Sequence, residues 1–158
     1  MRNPGGVCAA VHEPRGAAMA YDALTTRRGP PMIAYATLGT NDLDRATRCY
    51  DELLEVIGGR RMMEEPGYFV AYGNSEDGAG LGITVPFDKR PATAGNGTMV
   101  ALEAKTRAQV DALYARALEL GGTDEGPPGE RFPGFYAAYF RDLDGNKLNI
   151  SLMEHGDG

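Results

Sequence analysis

The chain has 158 residues, of which 42% are hydrophobic and 24% charged, and its formal net charge is −6 at pH 7. This composition suits one compact domain, and no apolar run approaches the roughly 20 residues that a membrane-spanning helix needs. Residues 1–31 hold four Arg against one Glu and one Asp, a balance of +2, so −6 minus +2 leaves −8 for the rest. An acidic domain repels phosphate backbones, which argues against a nucleic-acid partner.

The two ends of the chain differ in character from its middle. Residues 1–31 are rich in Gly, Ala, Pro and Arg and show neither a helical nor a strand period, so we predict a disordered N-terminal extension. Met32 follows directly, and an over-long start-codon assignment is the alternative. Residues 154–158 are predicted to be a tail.

The cysteines favour a reducing setting. Cys8 lies in the extension and Cys49 in the first predicted helix, which argues against a disulfide framework and for a cytoplasmic protein. Cys49 flanks the apolar face of that helix, and no His lies within the predicted folded part. We therefore interpret Cys49 as a packing residue and not as a nucleophile.

Each half of the remaining chain begins with a strand and a helix. Residues 33–38 read as a strand, and Asn41 or Asp42 can cap the helix that follows. In the second half residues 98–102 read as a strand, and Thr106 with Gln109 makes a capping-box signature. Glycine pairs end both helices. The apolar positions that define the helix faces are Leu43, Ala46, Tyr50, Leu53, Leu54 and Ile57, then Val110, Leu113, Tyr114, Ala117 and Leu120.

A repeat links the two halves. Residues 67–84 match residues 134–151 at a constant offset of 67, through an aromatic strand, an Asp-Gly turn and a second strand. Asp77-Gly78 and Asp144-Gly145 are typical of hairpin turns. A register that persists across two strands predicts a duplicated βαβββ unit, with modules at 32–86 and 98–153.

Three segments together resemble one protein family. Residues 33–46, Tyr50 and residues 141–148 are similar to the vicinal oxygen chelate superfamily, which includes glyoxalase I, extradiol dioxygenases, fosfomycin-resistance transferases and bleomycin-resistance proteins. The resemblance covers residues 32–153. It implies an α+β fold in which two tandem βαβββ modules form an open, curved eight-stranded sheet around a cavity. The helices would lie on the convex side, and the protein would be a homodimer.

The resemblance also implies a divalent metal on the cavity floor, but this chain departs from it at the ligand positions. Those positions correspond to Tyr35, Gly82, Met99 and Asn149. A glycine has no side chain, a thioether suits hard divalent ions poorly, and a neutral amide or phenol is a weak ligand. His12 and His155 lie in the terminal segments, and neither belongs to a ligand cluster. We therefore predict no metal and no cofactor.

Strand parity predicts the lining of the cavity. Alternate residues point to opposite faces, and a hairpin centred on Asp144-Gly145 pairs Asn149 with Phe140 and Ser151 with Ala138. A slip of one residue would bring Tyr139 and Arg141 to this face in place of Phe140. The predicted substrate-binding residues are Tyr35, Thr37, Met99, Glu103, Phe140, Asn149 and Ser151.

Several functions remain open at this point. The favoured hypothesis is a metal-free, glyoxalase- or bleomycin-resistance-like protein that binds a small, partly aromatic molecule. The alternative is a glyoxalase-like lyase or isomerase, with Glu103 as general base and Tyr35 and Asn149 as hydrogen-bond donors, or with an unrecognised metal site. Glu103 could instead sit at an exposed strand end. A third hypothesis is a dimerisation module with a collapsed cavity.

Overall fold

The computed structural model describes residues 32–154. The predicted extension at 1–31 and His155 of the predicted tail lie outside these residues. The elements of the first module are β1 (Tyr35–Gly39), α1 (Leu43–Glu55), β2 (Arg60–Glu65), β3 (Phe69–Gly73) and β4 (Gly80–Thr84). Those of the second are β5 (Val100–Glu103), α2 (Arg107–Glu119), β6 (Thr123–Phe132), β7 (Phe135–Arg141) and β8 (Lys147–Met153). No helix within residues 32–154 is long and apolar enough to cross a membrane.

Both helices begin at the predicted caps. The Asp42 carboxylate accepts a hydrogen bond from the Arg45 N–H at 2.9 Å, and the Thr106 hydroxyl accepts one from the Gln109 N–H at 3.2 Å. The Gln109 side chain reaches back to the Lys105 N–H at 2.8 Å. These bonds satisfy amide groups that have no partner within the first helical turn.

The eight strands form two four-stranded sheets, with orders β1-β4-β3-β2 and β5-β8-β7-β6. In each sheet the first strand runs parallel to the last, and the last two strands form an antiparallel hairpin. The predicted fold of two tandem βαβββ modules is confirmed. The modules remain separate sheets within one chain, because β1 and β5 are edge strands that do not pair with each other.

The predicted register of the second hairpin is wrong by one residue. Asn149 pairs with Tyr139 and not with Phe140, and Ser151 pairs with Ala137. The prediction centred the hairpin on Asp144-Gly145, but the strands end at Arg141 and Lys147, so the turn contains the five residues 142–146 and is centred on Asp144. The turn is also one residue shorter than that of the first module. Leu81 and Leu148 occupy equivalent positions at an offset of 67, whereas their partners Tyr72 and Phe140 are 68 apart.

Phe140 consequently belongs to the core and not to a binding face. It is 0% exposed and belongs to a core cluster that contains residues of both helices and both sheets. One continuous cluster includes Leu38 and Ile83 of the first sheet and Ile150 of the second. The helix-facing sides of the two modules therefore share a single hydrophobic core.

A polar contact fixes the second hairpin turn to the first module. Asp144 accepts hydrogen bonds from the Thr40 hydroxyl at 2.7 Å, the Asn41 N–H at 3.1 Å and the Arg45 guanidinium at 2.9 Å. Its side chain is 5% exposed. Burial alone would raise the pKa of Asp144, but these three donors together outweigh burial and lower it.

The neighbouring carboxylate completes this contact. Asp142 accepts from the buried Tyr50 hydroxyl at 2.7 Å and from the Asn146 backbone and side-chain N–H groups at 2.8 and 2.9 Å. The Asn146 amide also donates to the Gly39 carbonyl oxygen at 3.0 Å. We call Asp142, Asp144 and Asn146 with their partners the inter-module latch.

We expect Asp144→Asn to lower the free energy of unfolding by roughly 1.5 to 3 kcal/mol at neutral pH, because charge-assisted bonds to a buried acceptor are lost. The folded-state pKa of Asp144 lies below its unfolded value of about 3.9. Its stabilisation is therefore present above that value and is lost as pH falls through the folded pKa. The difference in free energy of unfolding between wild type and Asp144→Asn should therefore be smaller in acid than at neutral pH, and urea unfolding at both pH values measures it. An equal difference at both pH values would contradict this assignment.

Candidate functional site

Parity on the first strand follows the prediction. Leu38 points to the helices and is 4% exposed, whereas Tyr35 is 64% exposed and Thr37 is also exposed. Tyr35 and Thr37 therefore lie on the face of the first sheet that points away from its helix. We call this side of each sheet its outer face.

The outer face of the first sheet has no room for a side chain at Gly82. A Cβ built there would lie 2.5 Å from Cε2 of Phe69 and 3.2 Å from Cγ2 of Thr37. Gly82 pairs with Thr37 on one side and with Ala71 on the other. The Phe69 ring thus occupies the space where a ligand side chain on β4 would have to project.

The outer face of the second sheet carries Asn149 and Ser151, both almost fully buried. The Asn149 amide nitrogen donates to the Ala138 carbonyl oxygen at 3.1 Å. This side chain therefore supports the strand pairing. Tyr139 is the cross-strand neighbour of Asn149, as the one-residue slip described above requires.

Two predicted residues, Met99 and Glu103, line a cavity of about 560 Å³. The cavity lies between β5 and the helix-facing side of the first sheet, close to the end of α1. Its lining is mainly apolar, and Tyr72 forms part of the wall. Its other lining residues are Ile33, Ala36, Leu54, Ile57, Gly59, Gly73, Asn74, Gly78, Ala79, Gly80, Leu81, Val100, Ala101 and Leu102.

Tyr72 is fixed in the wall by hydrogen bonds. Its hydroxyl lies 2.9 Å from an Asp51 carboxylate oxygen and 3.2 Å from the Thr47 carbonyl oxygen. Burial and the adjacent Asp51 raise the pKa of this phenol well above its usual value. Tyr72 therefore presents a neutral ring of fixed orientation to the cavity.

The cavity differs in location from the one that the sequence predicted. Tyr35, Thr37, Asn149 and Ser151 lie on the outer faces and do not line it, and Phe140 is in the core. Ala36, on the helix-facing side of β1, lines the cavity instead. The apolar pattern of the sequence did not predict a cavity at this end of the first module.

The residues at the four metal positions do not fit a divalent ion. Gly82 offers no donor and its space is filled, Met99 offers a thioether, and the Asn149 amide is committed to β7. Tyr35 is an exposed phenol. Among residues 32–154, no group of three or more His, Cys, Asp or Glu side chains could hold a metal ion.

A family model for the Glyoxalase/Bleomycin resistance protein/Dioxygenase superfamily matches residues 32–150. The chain belongs to this superfamily. The modules and topology described above agree with that membership. A comparison with curated protein sequences gives no match.

Solved structures of the same kind share the fold. A glyoxalase/bleomycin resistance protein from Albidiferax ferrireducens T118 is 36% identical, with a TM-score of 0.70 over 76% of this chain and 97% of that one. Lactoylglutathione lyase from Agrobacterium tumefaciens is 25% identical, with a TM-score of 0.55 over 78% and 95%. A superfamily enzyme from Burkholderia phytofirmans PsJN, 19% identical, has a TM-score of 0.61 over 76% and 97% and supports the fold alone.

We expect Gly82→Ala to destabilise the protein by about 1 to 3 kcal/mol, because its Cβ would overlap the Phe69 ring. In a Phe69→Ala background the same change should be neutral or slightly stabilising, since alanine is the better strand residue once the overlap is gone. Chemical unfolding of the four members of this double-mutant cycle measures the coupling. Equal costs in both backgrounds would show that Phe69 does not occupy the space above Gly82.

Proposed function

We propose that this superfamily member binds a small, partly apolar molecule without a metal ion, and that the cavity between β5 and the first sheet is the binding site. The cavity itself is the observation that carries the proposal. Its volume of about 560 Å³ falls within the roughly 300–1,000 Å³ typical of small-molecule sites. Its wall combines aliphatic side chains, one fixed aromatic ring and few polar groups, which is also typical of such sites.

Metal independence rests on the donor set. A divalent ion needs several converging oxygen, nitrogen or thiolate ligands, whereas the four corresponding positions offer a glycine, a thioether, a committed amide and an exposed phenol. A ligand side chain at Gly82 would also require the Phe69 ring to move. These features support binding chemistry that uses only the side chains of the protein.

The lyase or isomerase alternative has less support. It needs Glu103, Tyr35 and Asn149 around one substrate, yet only Glu103 lines the cavity. Tyr35 lies on the outer face of the other module, and the Asn149 amide donates to Ala138. A general base without its oxyanion donors supplies only part of that mechanism.

The proposal predicts that Ala36→Phe blocks the cavity. Ala36 lies on the helix-facing side of β1 and lines the cavity, so a ring there would fill space that a ligand needs. Binding of the neutral fluorescent probe N-phenyl-1-naphthylamine should fall by at least about tenfold, a loss of about 1.4 kcal/mol. The affinity of the wild type should be unchanged by EDTA.

Ala115→Phe is the matched control, because Ala115 is exposed on α2 and does not line the cavity. It should bind the probe like the wild type. Thermal melts of both variants check the fold. Full binding by a folded Ala36→Phe variant would place the site elsewhere, and loss of binding in EDTA would overturn metal independence.

We also propose that the protein is a homodimer that joins through β1 and β5. Both are edge strands, and exposed edges with apolar side chains favour pairing with another chain. Tyr35 is 64% exposed and Met99 is 43% exposed. Since both strands also border the cavity, a second copy seated here would cover its open side. A cytoplasmic location is part of the proposal, supported by the free, buried Cys49.

Tyr35→Asp should shift the dimer toward monomer, because it places a carboxylate in an apolar contact. Sedimentation velocity over a dilution series measures the change, which we expect to be at least about tenfold in the dissociation constant. Phe87→Asp is the control, since Phe87 is 88% exposed and lies outside both sheets. A dimer that tolerates Tyr35→Asp but not Phe87→Asp would contradict this interface.

A further inference from the structure

We infer that the ligand of this cavity is a hydrophobic cation, an apolar molecule that carries an amine or similar positive group at one end. This inference rests on the proposed function, because it assumes that the cavity is a binding site. It concerns the charge of the ligand, which neither the superfamily nor the presence of a cavity decides.

The charge distribution around the cavity favours a positive ligand. Among the residues that line it, Glu103 carries the one formal charge, and the lining includes no Lys, Arg or His. Glu103 stands at the end of β5, and its neighbours along that strand are apolar. A cation on an apolar ligand could pair with this carboxylate while the rest of the ligand packs on Leu54, Leu81 and Leu102.

The turn between β3 and β4 adds negative charge at the rim. Asn74 and Gly78 of this turn line the cavity, and Glu76 and Asp77 lie between them and are exposed. Arg60, which follows the lining residue Gly59 and pairs with the lining residue Gly73, adds one positive charge at the same rim. The three carboxylates and this guanidinium leave a balance of −3 plus +1, or −2, which disfavours an anionic ligand. A cationic ligand would meet a favourable field.

Comparison of the two modules explains why this site is open. In the second module the equivalent turn is fixed by Asp142 and Asn146. Asp142 directly follows β7 and corresponds to Asn74, which directly follows β3, whereas Asn146 directly precedes β8 and corresponds to Ala79, which directly precedes β4. Asn74 has one acceptor oxygen where Asp142 uses two, and Ala79 lacks the amide group of Asn146.

The residues that donate hydrogen bonds to the turn also differ between the modules. Thr40 and Arg45 of the first module bind Asp144, whereas the positions 64 residues later, at the same places relative to β5 and α2, are Ala104 and Gln109. Within residues 32–154 no hydrogen bond joins residues 74–79 to the second module. The first turn keeps its acidic residues but lacks its latch, and the cavity lies beside it.

Three probes of the same shape test the charge preference by titration calorimetry: 4-phenylbutylamine, 4-phenylbutanol and 4-phenylbutyrate. We expect the amine to bind about threefold to fivefold more tightly than the alcohol, the size of effect of a partly exposed ion pair. The carboxylate should bind most weakly. The preference should shrink at about 0.5 M NaCl, which screens exposed charges.

Glu103→Gln should reduce the ratio of amine affinity to alcohol affinity by about half or more, because Glu103 is the one carboxylate in the lining itself. Glu65→Gln makes the same change of charge at an exposed position of β2 outside the cavity, and it should keep the preference. Equal binding of all three probes by the wild type, or an unchanged preference in Glu103→Gln, would overturn the cationic ligand and leave the cavity as a binding site. If none of the three probes binds the folded wild type, or if Ala36→Phe leaves their binding intact, the proposed function fails as well.

Discussion

The contact between the Asp142–Asn146 turn and the start of the first module is the constraint on which the rest of the structure depends. Two carboxylates at this junction receive hydrogen bonds from Thr40, Arg45 and Tyr50 of the other module. Burial of such carboxylates is costly unless every acceptor is satisfied. The same donors therefore fix how the two halves meet, and the shared core forms around that junction.

The inter-module latch occurs at one of the two turns that the modules have in common. A duplicated unit could place a latch at both related positions, but the first turn has the neutral residues Asn74 and Ala79 where the second has Asp142 and Asn146. One junction is consequently tight and polar, and the related one is open and apolar. The acidic residues that remain on the first turn, Glu76 and Asp77, are free of the structural role that Asp144 has in the second. Both modules share one scaffold, and a cavity lies beside the turn that lacks the latch.

Sequence patterns predicted the helices, their caps and the module order, because these features depend on local periodicity and capping chemistry. The hairpin register was not predictable from the Asp144-Gly145 signature, because this signature does not distinguish an even-numbered turn from the five-residue turn that forms at 142–146. A shift of one residue reverses the face of every residue on β7. Phe140 therefore lies in the core and not at the predicted site, and Tyr139 lies on the outer face. The cavity was missed for a different reason. Whether apolar residues such as Ala36 and Leu54 meet a packed neighbour or a gap depends on how the modules dock, which no pattern within one strand or helix encodes.

The outer faces of the two sheets are packed by different combinations of side chains. The first pairs a residue without a side chain, Gly82, with the large Phe69 ring, and the second has Asn149 on β8 with Ala137 at the position on β7 that matches Phe69. Each combination fills its sheet, but each replaces the metal-ligand side chain that the superfamily resemblance implies at these two positions. A ligand side chain placed at Gly82 would contact the Phe69 ring. A ligand side chain placed at position 149 would remove the hydrogen bond from Asn149 to the Ala138 carbonyl oxygen. The residues at these two positions are therefore tied to the packing of both sheets, whereas the cavity proposed as the binding site is lined by other residues.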